Sequence, residues 1–254
     1  VNYGGESYID DGKDLDRAHF FNYLQNNKEV PTTAAPSLGL AEDIVSNALD
    51  GYDHLISVNV AESLSSTYTN VLLACKTVDK ERTTVIDSES VSMGIGWLTI
   101  IAAEVAAKTN DLDAVKNAID KVKKNHKLYS GIHNMKYLRR SGRVTAVAAS
   151  LGSLLQIKPI VQVIEGGEVV AAHRVRTFKK VKTKLRSLLE EERGQLDRIA
   201  IMHTANEDNA KEFIANNQDL LPEDTIITEI GPTLGTHIGP NTLGFVSVNK
   251  AWRN

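Results

Sequence analysis

The stretch that decides the fold begins at His54-Leu55-Ile56-Ser57-Val58-Asn59-Val60, a short β-branched run that gives way to the polar loop Ser63-Leu64-Ser65-Ser66 and then to a helical pattern from Thr67 to Val78. Thr83-Thr84-Val85-Ile86-Asp87 repeats the strand, Ser88 to Ser92 the polar loop, and Gly94 to Lys108 the helix. Strand then helix, twice at this spacing, marks a parallel sheet wrapped by helices, because parallel neighbours need a long crossover that a helix supplies. Helix 94–108 is apolar almost all round, through Ile95, Trp97, Leu98, Ile100, Ile101, Ala102 and Val105, which predicts that it is sandwiched. Helix 111–124 instead places Leu112, Val115, Ile119 and Val122 at steps of three and four, leaving Lys116, Asp120, Lys123 and Lys124 on a wet face. Upstream, residues 16–25 read as a short helix, and another starts near Leu38 and closes at Asp50-Gly51.

After Asn125 the rhythm changes. Strand-like runs at Tyr129–His133, Gln156–Ile164, Val169–Arg176, Arg198–His203, Thr225–Ile230 and Thr242–Val248 alternate with helices at 134–140, 177–192 and 206–218. Glu165-Gly166-Gly167-Glu168 between two apolar runs is a hairpin signal, so part of this sheet must be antiparallel. The expected architecture is α/β in two domains: residues 1–129 as a three-layer α/β/α unit on a parallel sheet, and 130–254 as a mixed six-stranded sheet with helices. A length of 254 residues suits two compact units.

Hydrophobic residues at 42% and charged residues at 24% can supply a full core. With 29 Lys+Arg against 32 Asp+Glu, the net charge of −3 speaks against nucleic acid as the main partner. The lone Cys75 fits a reducing, cytoplasmic setting. The longest apolar runs, Ile95–Ala107 and Val144–Ile164, are interrupted by Glu104, Ser150 and Lys158, so no membrane span is expected.

No phosphate-cradling glycine loop, nucleophile elbow or zinc-protease signature is present, and the seven histidines show no metal-ligand spacing, which speaks against zinc. Ser63-Leu64-Ser65-Ser66-Thr67-Tyr68 lies between a strand end and a helix start, where free N–H groups favour a carboxylate or phosphate; Ser65 or Ser66 can equally be the cap of the helix. Pro31-Thr32-Thr33-Ala34-Ala35-Pro36-Ser37 is a second hydroxyl-rich loop, with a capped turn as its plainer reading. Gly231 to Pro240 packs three glycines and two prolines around His237, a backbone on a tight path that presents an imidazole, structural or functional. Arg174 to Arg186 holds Arg174, Arg176, Lys179, Lys180, Lys182, Lys184 and Arg186 without an acid. Phe178, Val181, Leu185 and Leu188 run through it as the apolar stripe of an amphipathic helix.

Taken together, Thr33 with Pro36-Ser37, Leu64-Ser65-Ser66-Thr67-Tyr68, Ile86-Asp87-Ser88, Tyr137 to Arg143, Leu151-Gly152-Ser153-Leu154-Leu155 with Ile157-Lys158-Pro159, Val175-Arg176-Thr177, and Gly235 to Pro240 resemble the DegV family in order and spacing. The similarity spans essentially the whole chain. It departs from the family pattern where Ala34 stands for a common serine, where Ser66 and Ser141 replace glycines, and where Asn241 replaces the glycine after Gly-Pro. The family's opening strand, with its Asp-Ser-Thr loop, has no counterpart before Val1, which points to a missing upstream segment.

The resemblance implies one long-chain fatty acid held between the two domains, its carboxylate met by Thr33, Ser65 and His237, with no cofactor beyond the lipid. It further implies a cytoplasmic, non-catalytic subunit that presents the acid to an ATP-binding fatty-acid kinase subunit for conversion to acyl phosphate, a step of bacterial phospholipid metabolism. Arg174, Arg176, Lys179 and Lys180 are the expected docking residues, with at most transient membrane-surface contact. The alternatives are a stand-alone lipid sensor and an acyl hydrolase or transferase using Ser65 with His237, for which no residue is evident to orient the base.

Overall fold

The computed structural model describes residues 1–27, 29, 31–143 and 157–254; the Leu151–Leu155 motif and Gln156 lie outside the described residues. The chain forms two compact units, one of Val1–Thr33, Lys124–Val163 and Val169–Asn254, the other of Ala34–Lys123 with Ile164–Glu168. This differs from a division at 129/130. The N-terminal residues group with the C-terminal part because Tyr3, Leu15, Phe20, Phe21 and Leu24 share one core with Tyr137. Aromatic rings bury large areas, and they draw the segment to that core.

In chain order, β1 (Asn2–Tyr3) and β2 (Glu6–Ser7) pair antiparallel, and α1 (Arg17–Asn26) follows, capped by the Asp16 side chain accepting the His19 N–H. The second unit contains α2 (Leu38–Leu49), β3 (Leu55–Asn59), α3 (Thr67–Asp79), β4 (Thr83–Asp87) and α4 (Met93–Thr109), and α5 (Leu112–Asn125) runs to its boundary. β3 and β4 are parallel, in register from Leu55 opposite Thr83 to Asn59 opposite Asp87, as the repeated strand and helix require. Ala41, Val45, Ala74 and Cys75 make the core beneath α2 and α3. One expectation fails: α4 buries Gly94, Trp97, Leu98, Ile101 and Ala102, a single stripe, while Ile100 is exposed. Packing on one side sets burial here, and all-round apolar composition does not.

The other unit continues with β5 (His126–Gly131), α6 (Met135–Ser141), β6 (Lys158–Val163), β7 (Val169–Val175), α7 (Phe178–Glu190), β8 (Leu196–His203), α8 (Glu207–Ala215), β9 (Ile226–Glu229), α9 (Pro232–Ile238) and β10 (Leu243–Asn249). They form a mixed six-stranded sheet in the order β7-β6-β5-β10-β8-β9, with only β8 and β9 parallel. The Glu165–Gly167 turn joins antiparallel β6 and β7, as the hairpin signal requires. The central β10 is buried along almost its whole length, with Leu243 and Phe245 on one face and Val246 and Val248 on the other. Val181, Leu185 and Leu188 of α7 pack with Tyr129, Ile199, Ile201 and Phe245, so the stripe through the basic segment faces the core.

α9 is set by two glycines. A Cβ on Gly235 would come within 2.6 Å of the Phe21 ring, and one on Gly239 within 2.1 Å of the Tyr137 ring. Gly239 also has φ 78 and ψ 171, a region essentially restricted to glycine. Gly239→Ala is expected to destabilise the chain by roughly 2 to 5 kcal/mol, from backbone strain and overpacking combined. A urea melt with an unchanged midpoint would refute the steric argument.

Candidate functional site

Pro232 opens α9 at its first turn, where a missing N–H costs nothing, and the helix carries His237 near its end. The half-buried imidazole meets a hydroxyl from the other end of the sequence: Thr33 Oγ1 and His237 Nε2 are 2.9 Å apart. Burial, and then the charge of Arg143, pushes the His237 pKa down to about 4. At neutral pH the pair is therefore an uncharged imidazole bonded to an uncharged hydroxyl. The cation Arg143 stands near enough to disfavour a second positive charge.

Ser65 belongs to the other unit, in the loop that follows β3. Its Oγ lies 2.8 Å from Thr67 Oγ1 and accepts the Thr67 N–H at 3.2 Å. Ser66, at the cap position of α3, makes no side-chain cap bond, so the capping hydroxyl is that of Ser65. The capping alternative for this loop thus falls on Ser65, the residue expected to meet the carboxylate. Its loop is braced from β4: Asp87 Oδ1 accepts the N–H groups of Glu62 at 3.3 Å and Glu89 at 2.9 Å, and the Ala61 N–H donates to the Ser90 carbonyl at 3.0 Å. Glu89 in turn pairs with Lys123 at 2.6 Å and accepts the Gly166 N–H at 2.8 Å. Sequence reasoning missed the bracing roles of Asp87 and Glu89; the only signal was Asp87 at the end of a strand before a serine loop. In the loop before α2, Ser37 is the ordinary cap, accepting the Leu40 N–H at 3.3 Å, and Thr33 is the residue that reaches the histidine.

The structure brings Thr33 and His237 together within one unit and puts Ser65 in the other. It also carries the glycine-dependent α9, the Tyr137 helix and the mixed six-stranded sheet whose order was quoted above. A family model described as "Uncharacterised protein, DegV family" matches residues 1–250. The chain belongs to the DegV family. A DegV domain-containing protein of Streptomyces coelicolor is 30% identical over 247 residues, covering 95% of this chain and 86% of the relative. A DegV family protein from Thermus thermophilus, whose structure is one of fatty acid binding, has TM-score 0.87 and 27% identity over 97% of this chain and 88% of its own. DegV of Bacillus subtilis, a fatty acid binding protein, has TM-score 0.81 and 26% identity over 93% of this chain and 85% of its own.

Three of the four departures from the DegV pattern have local explanations, and nothing in the structure explains Ala34. Asn241 sits at φ 61, a left-handed position where glycine is at home and asparagine is the best tolerated substitute. Ser66 has φ −67, which needs no glycine, and Ser141 ends α6 with its Oγ donating to the Leu138 carbonyl at 2.9 Å.

The basic segment is more committed than its sequence indicates. Lys182 pairs with Glu212 at 2.7 Å and Arg186 with Asp219 at 3.0 Å, both acids distant in sequence. Arg176, Lys179 and Lys180 are exposed and carry no ion pair among the described residues; Thr177 between them caps α7 by accepting the Lys180 N–H at 3.3 Å. Arg174 is exposed as well and is engaged in contacts of its own.

The His237 environment predicts a titration. Its folded pKa of about 4 lies below the usual 6.5, so the unfolded chain takes up the proton first. The stabilisation from keeping this ring neutral is complete above about pH 6.5 and is lost as pH falls toward 4. Ring-nitrogen NMR is expected to give a midpoint near 4 for His237 in the folded chain; a midpoint at the ordinary histidine value would refute the buried, cation-flanked setting.

Proposed function

We propose that this chain binds one long-chain fatty acid and offers its carboxylate, in the cytoplasm, to an ATP-binding kinase subunit that transfers a phosphoryl group to it and releases an acyl phosphate. Thr33, Ser65 and His237 are the proposed carboxylate ligands. The observation that carries this reading is the Thr33 to His237 hydrogen bond, which holds a neutral hydroxyl and a neutral imidazole together with one proton left to donate to a carboxylate. Neutral donors orient a carboxylate without clamping both oxygens as an arginine fork would, so one oxygen stays free to attack phosphorus. Affinity then comes from the acyl chain. Each buried methylene is worth about 0.8 kcal/mol, on the order of 10 kcal/mol for a long chain before ordering costs. The fatty-acid-binding DegV proteins of similar fold support the same ligand class.

A serine-dependent hydrolase is the rival. It needs Ser65 activated by a base, but the Ser65 hydroxyl is engaged with Thr67 and the His237 imidazole with Thr33. Among the described residues no acidic side chain bonds the His237 ring, so the hydrolase lacks the group that would orient its base, which the binding role does not need.

Organic extraction and mass spectrometry of the purified chain are expected to yield about one fatty acid per chain. Ser65→Ala and Thr33→Val each remove a bond to a charged headgroup worth about 1 to 3 kcal/mol and should lower retention without unfolding the protein. Full occupancy and full kinase turnover in the double variant would eliminate the headgroup assignment. For His237→Gln, acyl-phosphate formation should fall further than binding, and equal losses would make the histidine structural only.

The chain alone should not hydrolyse ATP, and turnover by kinase-free protein would contradict the division of labour. Neutralising Arg176, Lys179 and Lys180 together should slow acyl-phosphate formation in a salt-dependent manner and leave bound fatty acid untouched. Unchanged rates at both low and high salt would remove these residues from the docking surface.

A further inference from the structure

One edge of the six-stranded sheet is built differently from the rest. β8, α8 and β9 form a βαβ unit in which the two strands run parallel and end side by side, His203 opposite Glu229. In open α/β sheets, ligands bind just outside the carboxyl ends of parallel strands. A cavity of about 350 Å³ lies at that position here, lined by His203, Ala205, Asn206, Glu207, Ile227 and Glu229. None of these residues takes part in the site described above.

His203 borders the cavity although it is only 4% exposed. The Asn206 N–H donates to its Nδ1 at 3.3 Å, which leaves the proton of the neutral ring on Nε2. Nε2 has no hydrogen-bond partner among the described residues. Burial lowers the His203 pKa and keeps the ring neutral; Glu229 and Glu207 act against this, and Lys211 acts with it. Ala205, at φ 45, turns the loop so that its N–H donates to Glu229 Oε1 at 3.3 Å. Glu229 also lies 4.0 Å from Arg17, and Glu207 lies 2.9 Å from Lys211. The cavity thus offers carboxylate oxygens as acceptors, one ring N–H as donor, and Ile227 as an apolar wall.

These groups select a ligand chemistry by elimination. A phosphate only accepts, and it would meet Glu207 and Asp208 in the first turn of α8. An ammonium or guanidinium only donates and would leave the His203 Nε2 proton unpaired. Among the described residues no group of three or more His, Cys, Asp or Glu side chains is arranged to hold a metal ion. A hydroxyl donates to a carboxylate and accepts from an imidazole at once, and a carboxylate with two oxygens suits two neighbouring hydroxyls. In dinucleotide-binding βαβ units, an acidic residue at a strand end is the partner of ribose hydroxyls, a pairing that rests on the same carboxylate-to-diol chemistry. We propose that this cavity binds the vicinal diol of a sugar ring, free or as the ribose of a nucleoside, with the ring's C–H face against Ile227.

The test uses the full chain, isotopically labelled, with D-ribose, adenosine, 2′,3′-dideoxyadenosine and spermidine added separately at millimolar concentration while the amide signals of Ala205 and Asn206 are followed. Adenosine is expected to shift both signals, and the dideoxy compound to bind about tenfold more weakly or worse, the loss of one charge-assisted hydrogen bond. Shifts with ribose as well would identify a free-sugar site, and shifts with adenosine alone a nucleoside site. Glu229→Gln, which keeps the side-chain shape, should weaken binding about tenfold at an unchanged melting temperature. Equal binding of the dideoxy compound, a response to spermidine in place of the diols, or no shift with any of them would overturn the proposal.

Discussion

A neutral imidazole held against a threonine hydroxyl is the contact on which the proposed function rests, and much of the architecture of its unit serves to make it. Thr33 and His237 are separated by 204 positions in sequence, so their 2.9 Å approach exists only because both chain ends enter one unit. α9 must lie close to α1 and α6 for this, and it does so at two glycines whose side-chain positions are taken by Phe21 and Tyr137. Tyr137 is itself anchored by donating its hydroxyl to the Leu24 carbonyl at 3.1 Å. The aromatic core that recruits the N-terminal residues and the polar pair are therefore parts of one arrangement. Protonation would add a charge beside Arg143 in a partly dry site, and burial together with that cation holds the ring neutral.

The second unit handles its polar loop by another route. Two parallel strands end level, Asn59 opposite Asp87, so their following loops can bond directly. Asp87 spends one carboxylate oxygen on backbone N–H groups of both loops, and buried Ser88 and Ser90 bond within the second loop. Ser65 thereby sits on a loop whose backbone is tied down from outside itself, which fixes where its hydroxyl stands.

Charge on the surface of the larger unit is sorted by packing. Of the basic residues between 174 and 186, Lys182 and Arg186 lie on the flank of α7 that meets Glu212 and Asp219, while Arg176, Lys179 and Lys180 cluster about its start, exposed. Exposed ion pairs of this kind add little stability, commonly under about 1 kcal/mol, so their main effect is to leave a smaller, localised positive patch. Identical side chains in one segment thus have different roles according to the neighbour that folding supplies.

Period and punctuation determined which elements exist. The alternating strands and helices from 54 to 108, the Gly-Gly hairpin at 166–167, the six strands of the mixed sheet and the apolar stripe of α7 follow from local spacing, because side-chain direction repeats every two or 3.6 residues whatever lies elsewhere. The motifs in order also made Thr33, Ser65 and His237 legible as candidates. The folded structure alone decided that residues 1–33 join the C-terminal unit, that α4 is buried on one side, that Ser65 rather than Ser66 caps α3, and that Thr33 is the partner of His237. The cap of α3 is set by the local turn, between residues two apart; the physical reason is common to the other three. Each depends on which distant surface a residue meets, and neither the packing of Tyr137 against Gly239 nor the pairing of Glu212 with Lys182 leaves a periodic trace in the chain.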